Sequence, residues 1–284
     1  MTWKIRWLGI IVLLIVPTIL LLAQSTVDVA TRNAAIEKSN QANDYFKQGK
    51  YTDAIKLYRE AIGIDSTNYI TYQNLGNALV QNKQYSDAVS AYQRSIILNP
   101  ENAKVYVDLG QVQSKQQKYE EAVRSFNRAL RIDSTNFNAW MGSGNAYMSM
   151  KNYKIAVVAL KKATALDPQS DKAFFNLGIS LSEMDEFSEA LDAFTKVTEI
   201  SKNHWKAQWQ RAVMLNKLGK SQDAIQAAEQ CLQYKKNYAG ANFEIATAYK
   251  KMGDKDKARE FFKLCLSDKD WQGAAQWQID NGLK

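Results

Sequence analysis

Residues 69–102 read YITYQNLGNALVQNKQYSDAVSAYQRSIILNPEN, and residues 103–136 read AKVYVDLGQVQSKQQKYEEAVRSFNRALRIDSTN. Laid one over the other, small residues fall on small residues (Gly76 on Gly110, Ala88 on Ala122) and rings on rings (Tyr85 on Tyr119, Tyr92 on Phe126). The offset is 34 residues, and it extends in both directions. Blocks starting at 35, 69, 103, 137, 171, 205 and 239 place Ala54, Ala88, Ala122, Ala156, Ala190, Ala224 and Ala258 at their twentieth position. Their eighth position is always small: Ala42, Gly76, Gly110, Gly144, Gly178, Ala212 and Ala246. The twenty-fourth is large in six blocks: Tyr58, Tyr92, Phe126, Leu160, Phe194 and Phe262, with Ala228 the departure. Self-similarity at such a period marks a repeat architecture.

Within a block, apolar residues recur at three- and four-residue spacing, as Leu75, Leu79, Ala88, Tyr92 and Ile96 do. That is a helical period, not the alternation of a strand. Small side chains at positions 8 and 20 let backbones approach, and rings at 17 and 24 fill the space beside them. Block ends carry Asp65-Ser66-Thr67-Asn68, Asn99-Pro100, Asp133-Ser134-Thr135-Asn136 and Asp167-Pro168, residues that stop one helix and cap the next. Each block is therefore two helices. None can bury its apolar face alone, so neighbours must stack.

The pattern resembles the tetratricopeptide repeat (TPR) family over residues 35–272. The resemblance rests on Tyr72, Leu75, Gly76, Tyr85, Ala88, Tyr92 and Pro100 in the second block. The fourth block adds Trp140, Gly144, Tyr147, Tyr153, Ala156, Ala163 and Pro168; the fifth adds Phe174, Leu177, Gly178, Phe187, Ala190 and Phe194. The last two blocks depart from it at Gln208, Ser221 and Lys236 and at Asn242, Lys255 and Asp270. The family implies an all-α fold, a right-handed α-solenoid of helix-turn-helix repeats. The expected organisation is an N-terminal transmembrane anchor or signal peptide with a short linker over 1–34, seven repeats (35–68, 69–102, 103–136, 137–170, 171–204, 205–238, 239–272) and a capping helix over 273–284 bearing Ala274, Ala275, Trp277 and Ile279.

Family members bind protein or peptide partners in a concave groove lined by positions 2, 5, 9, 12 and 13 of the first helices. Those positions change character along this chain. The early blocks offer a polar groove of Asn40, Asn43, Asn74 and Asn77. The later ones offer Met141, Phe175, Ile179, Trp209, Val213 and Phe243, with Asn176 and with Lys172 and Lys206 beside the stripe. Aromatic groups on a concave surface are typical partner anchors, so repeats 5–7 are expected to grip a hydrophobic, acidic segment. The competing expectation is that these rings pack into the core. For the amides, one reading is a ladder holding a peptide backbone, broken at Asp108 and Gly142; the other is solvated surface. The family's carboxylate clamp is not met, because Met141 and Gln210 stand where cations are needed in repeats 4–6, and Ser39 and Asp108 spoil it in repeats 1–3.

Ahead of the repeats, Trp7 to Val27 carries no charged side chain, and Lys4 and Arg6 precede it. About 20 apolar residues cross a bilayer, Trp3 and Trp7 sit at the interfacial level, and Pro17 is tolerated as a kink. Two readings fit. One is a retained N-terminal transmembrane helix. The other is a signal peptide cut after Ala23-Gln24-Ser25. On an inner membrane or a secretory route, both export the rest of the chain: single-pass at the membrane with the repeats extracytoplasmic, or released.

Composition narrows the chemistry. Apolar residues at 46% exclude a disordered chain. Two Cys and one His leave no disulfide framework, no Cys-built zinc site and no paired imidazoles. Cys231 and Cys265 share position 27, which holds Ala61, Ala129 and Ala163 elsewhere, and are expected as unbridged core thiols. His204, at a repeat junction, is expected in a surface or turn role. The net charge of +8 is blocky: repeat 5 is −4, repeat 6 is +4, and no basic stripe suited to nucleic acid forms. No catalytic, cofactor or metal residues are expected, and no cofactor. The expectation is a non-enzymatic, membrane-anchored scaffold for complex assembly, with an exported adaptor or an enzyme's regulatory subunit as alternatives; homo-oligomers are open to a solenoid with free ends.

Overall fold

The computed structural model describes residues 28–283. The expected transmembrane helix or signal peptide lies outside the described residues. Among the described residues, no helix is long and apolar enough to cross a membrane, and the regular structure is helical throughout.

The chain divides into two compact units, the first ending at Val112 and the second starting at Gln113. The first holds α1 (Val29–Lys47), α2 (Tyr51–Ile64), α3 (Tyr69–Gln81), α4 (Tyr85–Leu98) and most of α5 (Ala103–Lys115). The second holds α6 (Tyr119–Ile132), α7 (Phe137–Ser149), α8 (Tyr153–Leu166), α9 (Asp171–Ser182), α10 (Phe187–Ile200), α11 (Trp205–Lys217), α12 (Ser221–Tyr234), α13 (Ala239–Lys251), α14 (Lys255–Leu264) and α15 (Gln272–Trp277). From Tyr69 on, first helices start at 69, 103, 137, 171, 205 and 239, the interval of the sequence repeat. Residues 29–34, expected as linker, belong to α1 instead. They contain neither Gly nor Pro to stop a helix.

The repeat positions are explained by packing. All seven alanines at position 20 are fully buried. A Cβ placed on Gly178 would lie 2.7 Å from the Phe194 ring, and one on Gly144 would lie 2.7 Å from Leu160 Cγ. The ring of Tyr92 likewise closes on Gly76. Position 8 is small because position 24 of the same block occupies its place. Phe194, Phe126 and Phe262 are essentially without solvent contact, and each such ring contributes on the order of 2–3 kcal/mol.

Turns recur with the same regularity. Between first and second helices, Gly49, Lys83, Gln117, Lys151, Asp185, Gly219 and Gly253 are all left-handed, with φ from 58° to 86°. This residue, position 15 of each block, ends the helix as a left-handed C-terminal cap. Between blocks, Asp65 Oδ1 accepts from Thr67 N (2.9 Å) and its hydroxyl (2.6 Å), and Asp133 does the same for Thr135. Asn68, Asn136 and Ser170 then cap the next helix through their side-chain oxygens.

Cys231 and Cys265 are buried and free. At the C-terminus, α15 and a π-helical turn (Gln278–Gly282) follow the last pair. The cap buries Ala275 and Leu283, while Trp277, expected to cover the last repeat, is 59% exposed. Trp271, ahead of the expected cap, takes the covering part by packing its ring on Phe243 at 5.1 Å.

Candidate functional site

In the second unit the apolar positions of the first helices are neither core nor open surface. Met141, Phe175, Ile179, Trp209, Val213 and Phe243 are half-buried, and Lys172 and Lys206 are exposed. The cause is a loop residue from the end of the same block. His204, position 34 of the fifth block, tilts its ring over Phe175 at 5.0 Å. Tyr238, position 34 of the sixth, meets Trp209 edge-on at 5.6 Å. In the seventh, Trp271 takes the place one residue earlier, against Phe243 and, at 6.2 Å, Trp209. The other side of each ring rests on the core: Phe175 on Phe194 at 5.6 Å, Phe243 on Phe262 at 5.1 Å. One surface of the stripe therefore stays open, rimmed by aromatic groups that meet Trp209 edge to face and lie tilted over Phe175 and Phe243.

His204 has a second task. Its Nδ1 accepts from Ala207 N at 3.1 Å and caps α11, so it is the turn residue its place suggested. Two lysines flank the stripe: Lys206 Nζ and Lys235 Nζ lie 5.5 and 5.9 Å from the Trp205 ring centroid. Asn176 is half-buried and donates to Asn145 Oδ1 at 2.7 Å, joining the fifth block to the fourth.

Sequence gave no sign of the polar group at the far end. Glu244 is buried and accepts from Asn216 Nδ2 at 2.8 Å; the same amide donates to the Glu244 carbonyl at 2.9 Å. Lys251 donates to the Asn216 carbonyl. Burial raises the Glu244 carboxyl above the usual range, against the pull of the Asn216 hydrogen bond and then of Lys251 and Lys217. Helical periodicity assigns an acid to a solvated face unless its partners, one block away, are recognised.

The first unit carries the amides. Asn40 is exposed, while Asn43, Asn74 and Asn77 are half-buried and engaged within the protein, not simply solvated. Asn43 Oδ1 accepts from Tyr58 Oη (2.5 Å) and Asn74 Nδ2 (3.3 Å), and Asn77 Oδ1 accepts from Tyr92 Oη (2.7 Å). Tyr58 and Tyr92 are core rings whose hydroxyls need a partner, and the asparagines supply it. Burial pushes the Tyr58 phenol up to about 12. Gln73 donates to Asp108 Oδ2 (2.9 Å) and accepts from Asn102 Nδ2 (3.1 Å). Asn102 is the position-34 residue of its block, so an amide here does what His204 and Tyr238 do with rings. Burial raises the Asp108 carboxyl, opposed by the Gln73 hydrogen bond and then by Lys104.

Among the described residues, no group of three or more His, Cys, Asp or Glu is placed to hold a metal ion. What the site offers is contact: apolar rings, amides with free donor and acceptor capacity, and flanking cations.

Comparison with known proteins agrees with this architecture. A family model described as TPR repeat matches residues 42–83 and 144–185, and two described as tetratricopeptide repeat match 74–137 with 175–242, and 239–267. The crystal structure of MamA is similar at 25% identity and TM-score 0.57, over 62% of this chain and 96% of that one. YrrB, described as a TPR protein with an unusual peptide-binding site, is similar in fold at 24% identity and TM-score 0.59, over 65% of this chain and 95% of that one. The C-terminal part of a TPR repeat-containing protein from Cytophaga hutchinsonii gives TM-score 0.69 at 20% identity, over 84% of this chain and 97% of that one. Among curated sequences, serine/threonine-protein phosphatase T of Schizosaccharomyces pombe is 50% identical over 40 residues. That match covers 14% of this chain, and the chain spans only 8% of that relative's length. With repeat models running from residue 42 to residue 267 over helix pairs of fixed interval, the chain belongs to the tetratricopeptide repeat family.

Proposed function

We propose that this protein is a non-enzymatic, membrane-anchored scaffold that holds a partner protein or peptide against the first helices of its later repeats. The observation that carries this is the half-open apolar stripe of Phe175, Ile179, Trp209, Val213 and Phe243, flanked by exposed Lys172 and Lys206. Such rings, fixed on two sides and wet on a third, lose little side-chain freedom when a partner covers them. The flanking cations favour a hydrophobic segment with acidic residues. YrrB, which shares the fold, is described as having a peptide-binding site, and this supports the class of ligand. The apolar run from Trp7 to Val27 behind Lys4 and Arg6 supports a single-pass anchor with the repeats extracytoplasmic, periplasmic in a bacterium, where such a scaffold would serve assembly of an envelope complex.

The test is purification of the tagged full chain from gently solubilised native membranes, with mass spectrometry of its N-terminus and companions. An intact N-terminus with stoichiometric partners, lost on Trp209→Ala with Phe243→Ala while helicity is kept, supports the proposal. Companions that survive the double variant remove the groove from it. The Ala23-Gln24-Ser25 site favours a second reading, an exported adaptor, and a chain beginning near Thr26 in the soluble fraction selects it.

A further inference from the structure

Two ion pairs recur at one register between successive second helices. Arg59 of α2 faces Asp87 of α4 at 3.9 Å, and Lys161 of α8 faces Glu189 of α10 at 2.7 Å. Both join position 25 of one block to position 19 of the next. Between α6 and α8 these positions hold Asn127 and Ile155, so no such pair spans the junction.

A recess of about 530 Å³ opens beside Asn127, lined by Arg124, Asn127, Leu130 and Arg131 of α6 and by Trp140 of α7. Its floor is fixed: Trp140 Nε1 donates to the Ser134 carbonyl at 2.9 Å. Arg124 and Arg131, two turns apart on one face of α6, make no ion pair among the described residues. On α8, Ile155 and Val158 are 43% and 58% exposed, beside exposed Lys154 and Lys162. The α8 sequence contains no acid, and the two carboxylates of α6, Glu120 and Glu121, belong to its first turn and do not line the recess.

We propose that this face, formed by α6 with Trp140 of α7 and distinct from the stripe of Phe175, Trp209 and Phe243, docks an acidic amphipathic segment of a partner protein. An apolar side chain of that segment enters over Trp140 and Leu130, and its carboxylates meet Arg124 and Arg131. Arginine suits this task because its planar fork binds carboxylate bidentately. Charge complementarity selects the acidic partner. The recess favours a peptide over a lipid surface, since a bilayer presents no side chain to fill it.

The experiment uses the full chain in non-ionic detergent and a fluorescein-labelled peptide of four Glu-Leu-Leu-Glu repeats, with a Lys-Leu-Leu-Lys peptide as control, followed by anisotropy. The acidic peptide is expected to bind, and to weaken about tenfold or more in Arg124→Ala with Arg131→Ala. Because the groove of the first helices also favours acidic, hydrophobic segments, the titrations are made in the Trp209→Ala with Phe243→Ala background, where arginine-dependent binding is expected to remain and to weaken likewise in Ile155→Glu with Val158→Glu. Circular dichroism checks each fold. Absent binding, equal binding of the lysine peptide, or affinity unchanged without the two arginines would overturn the proposal. So would arginine-dependent attachment to phosphatidylcholine–phosphatidylglycerol vesicles with no peptide binding, which would make the face a lipid contact.

Discussion

Gly178→Ala and Gly63→Ala add the same methyl group to a helix and should move stability in opposite directions. At Gly178 the new Cβ lies 2.7, 2.8 and 2.9 Å from Cε1, Cζ and Cδ1 of Phe194. Ordinary carbon contact begins near 3.5 Å, so the ring must retreat by about 0.8 Å. It has nowhere to go: Phe194 is fully buried and meets Phe175, which in turn meets His204. Overpacking of this kind costs about 1–3 kcal/mol. The alanine returns about 1 kcal/mol of helix propensity, leaving a net loss of up to about 2 kcal/mol. At Gly63, in α2, nothing lies within 4 Å of the added Cβ. There only the propensity remains, a gain of up to about 1 kcal/mol, reduced by the site's place in the last turn. Propensity largely cancels between the variants, so their difference measures the packing term, about 1–3 kcal/mol. Urea unfolding followed by far-ultraviolet circular dichroism reads it from the midpoints. Repeat proteins can unfold in parts, so hydrogen exchange in α9 and α2 should accompany the scan. If both variants shift alike, or Gly178→Ala is the more stable of the two, the account of position 8 is wrong.

Other expectations follow from single environments. Burial raises Asp108 in the folded state, so the native protein holds its proton more tightly than the unfolded chain does, and stability falls as pH rises through the folded value. Asp108→Asn should therefore stabilise at neutral pH, with an advantage that shrinks on acidification and is gone below the unfolded value of about 3.9; a less stable variant at pH 7 would contradict this. The thiols of Cys231 and Cys265, pushed by burial to about 11 and about 12, should resist iodoacetamide in the native protein and react on unfolding, as mass spectrometry will report. Lys83 is exposed and left-handed at φ 61°, so Lys83→Gly should stabilise the fold by about 0.5–1 kcal/mol and raise the unfolding midpoint, and a lowered midpoint would count against left-handed strain at this turn.

The helix pairs were readable because one packing solution is repeated. Ala88 or Gly178 alone says little, but the same small residue beneath the same ring, block after block, states the contact. The left-handed turn was visible only in part: Gly49, Gly219 and Gly253 advertise it, while Lys83, Gln117, Lys151 and Asp185 adopt it without a glycine's signature. The stripe was legible as a set of residues but not in its exposure. Sequence offers core or surface, whereas Trp209 and Phe243 are held between the core and a loop ring, and nothing in the spacing says that Tyr238 or Trp271 leans over them. The asparagines were seen as a polar face, and their bonds to Tyr58 and Tyr92 were not, because a core ring gives no hint of where its hydroxyl emerges.

The left-handed residue that closes each first helix also makes a seam. Because Lys83 and Gln117 share a backbone conformation one period apart, excising residues 84–117 would join Lys83 to Lys118 across equivalent geometry. Gain or loss of whole periods there leaves each downstream apolar face in phase, and any other length turns the next face toward water. A chain built this way can grow or shrink only in whole steps, so its length is free to follow the size of what it binds while the fold of each step stays the same.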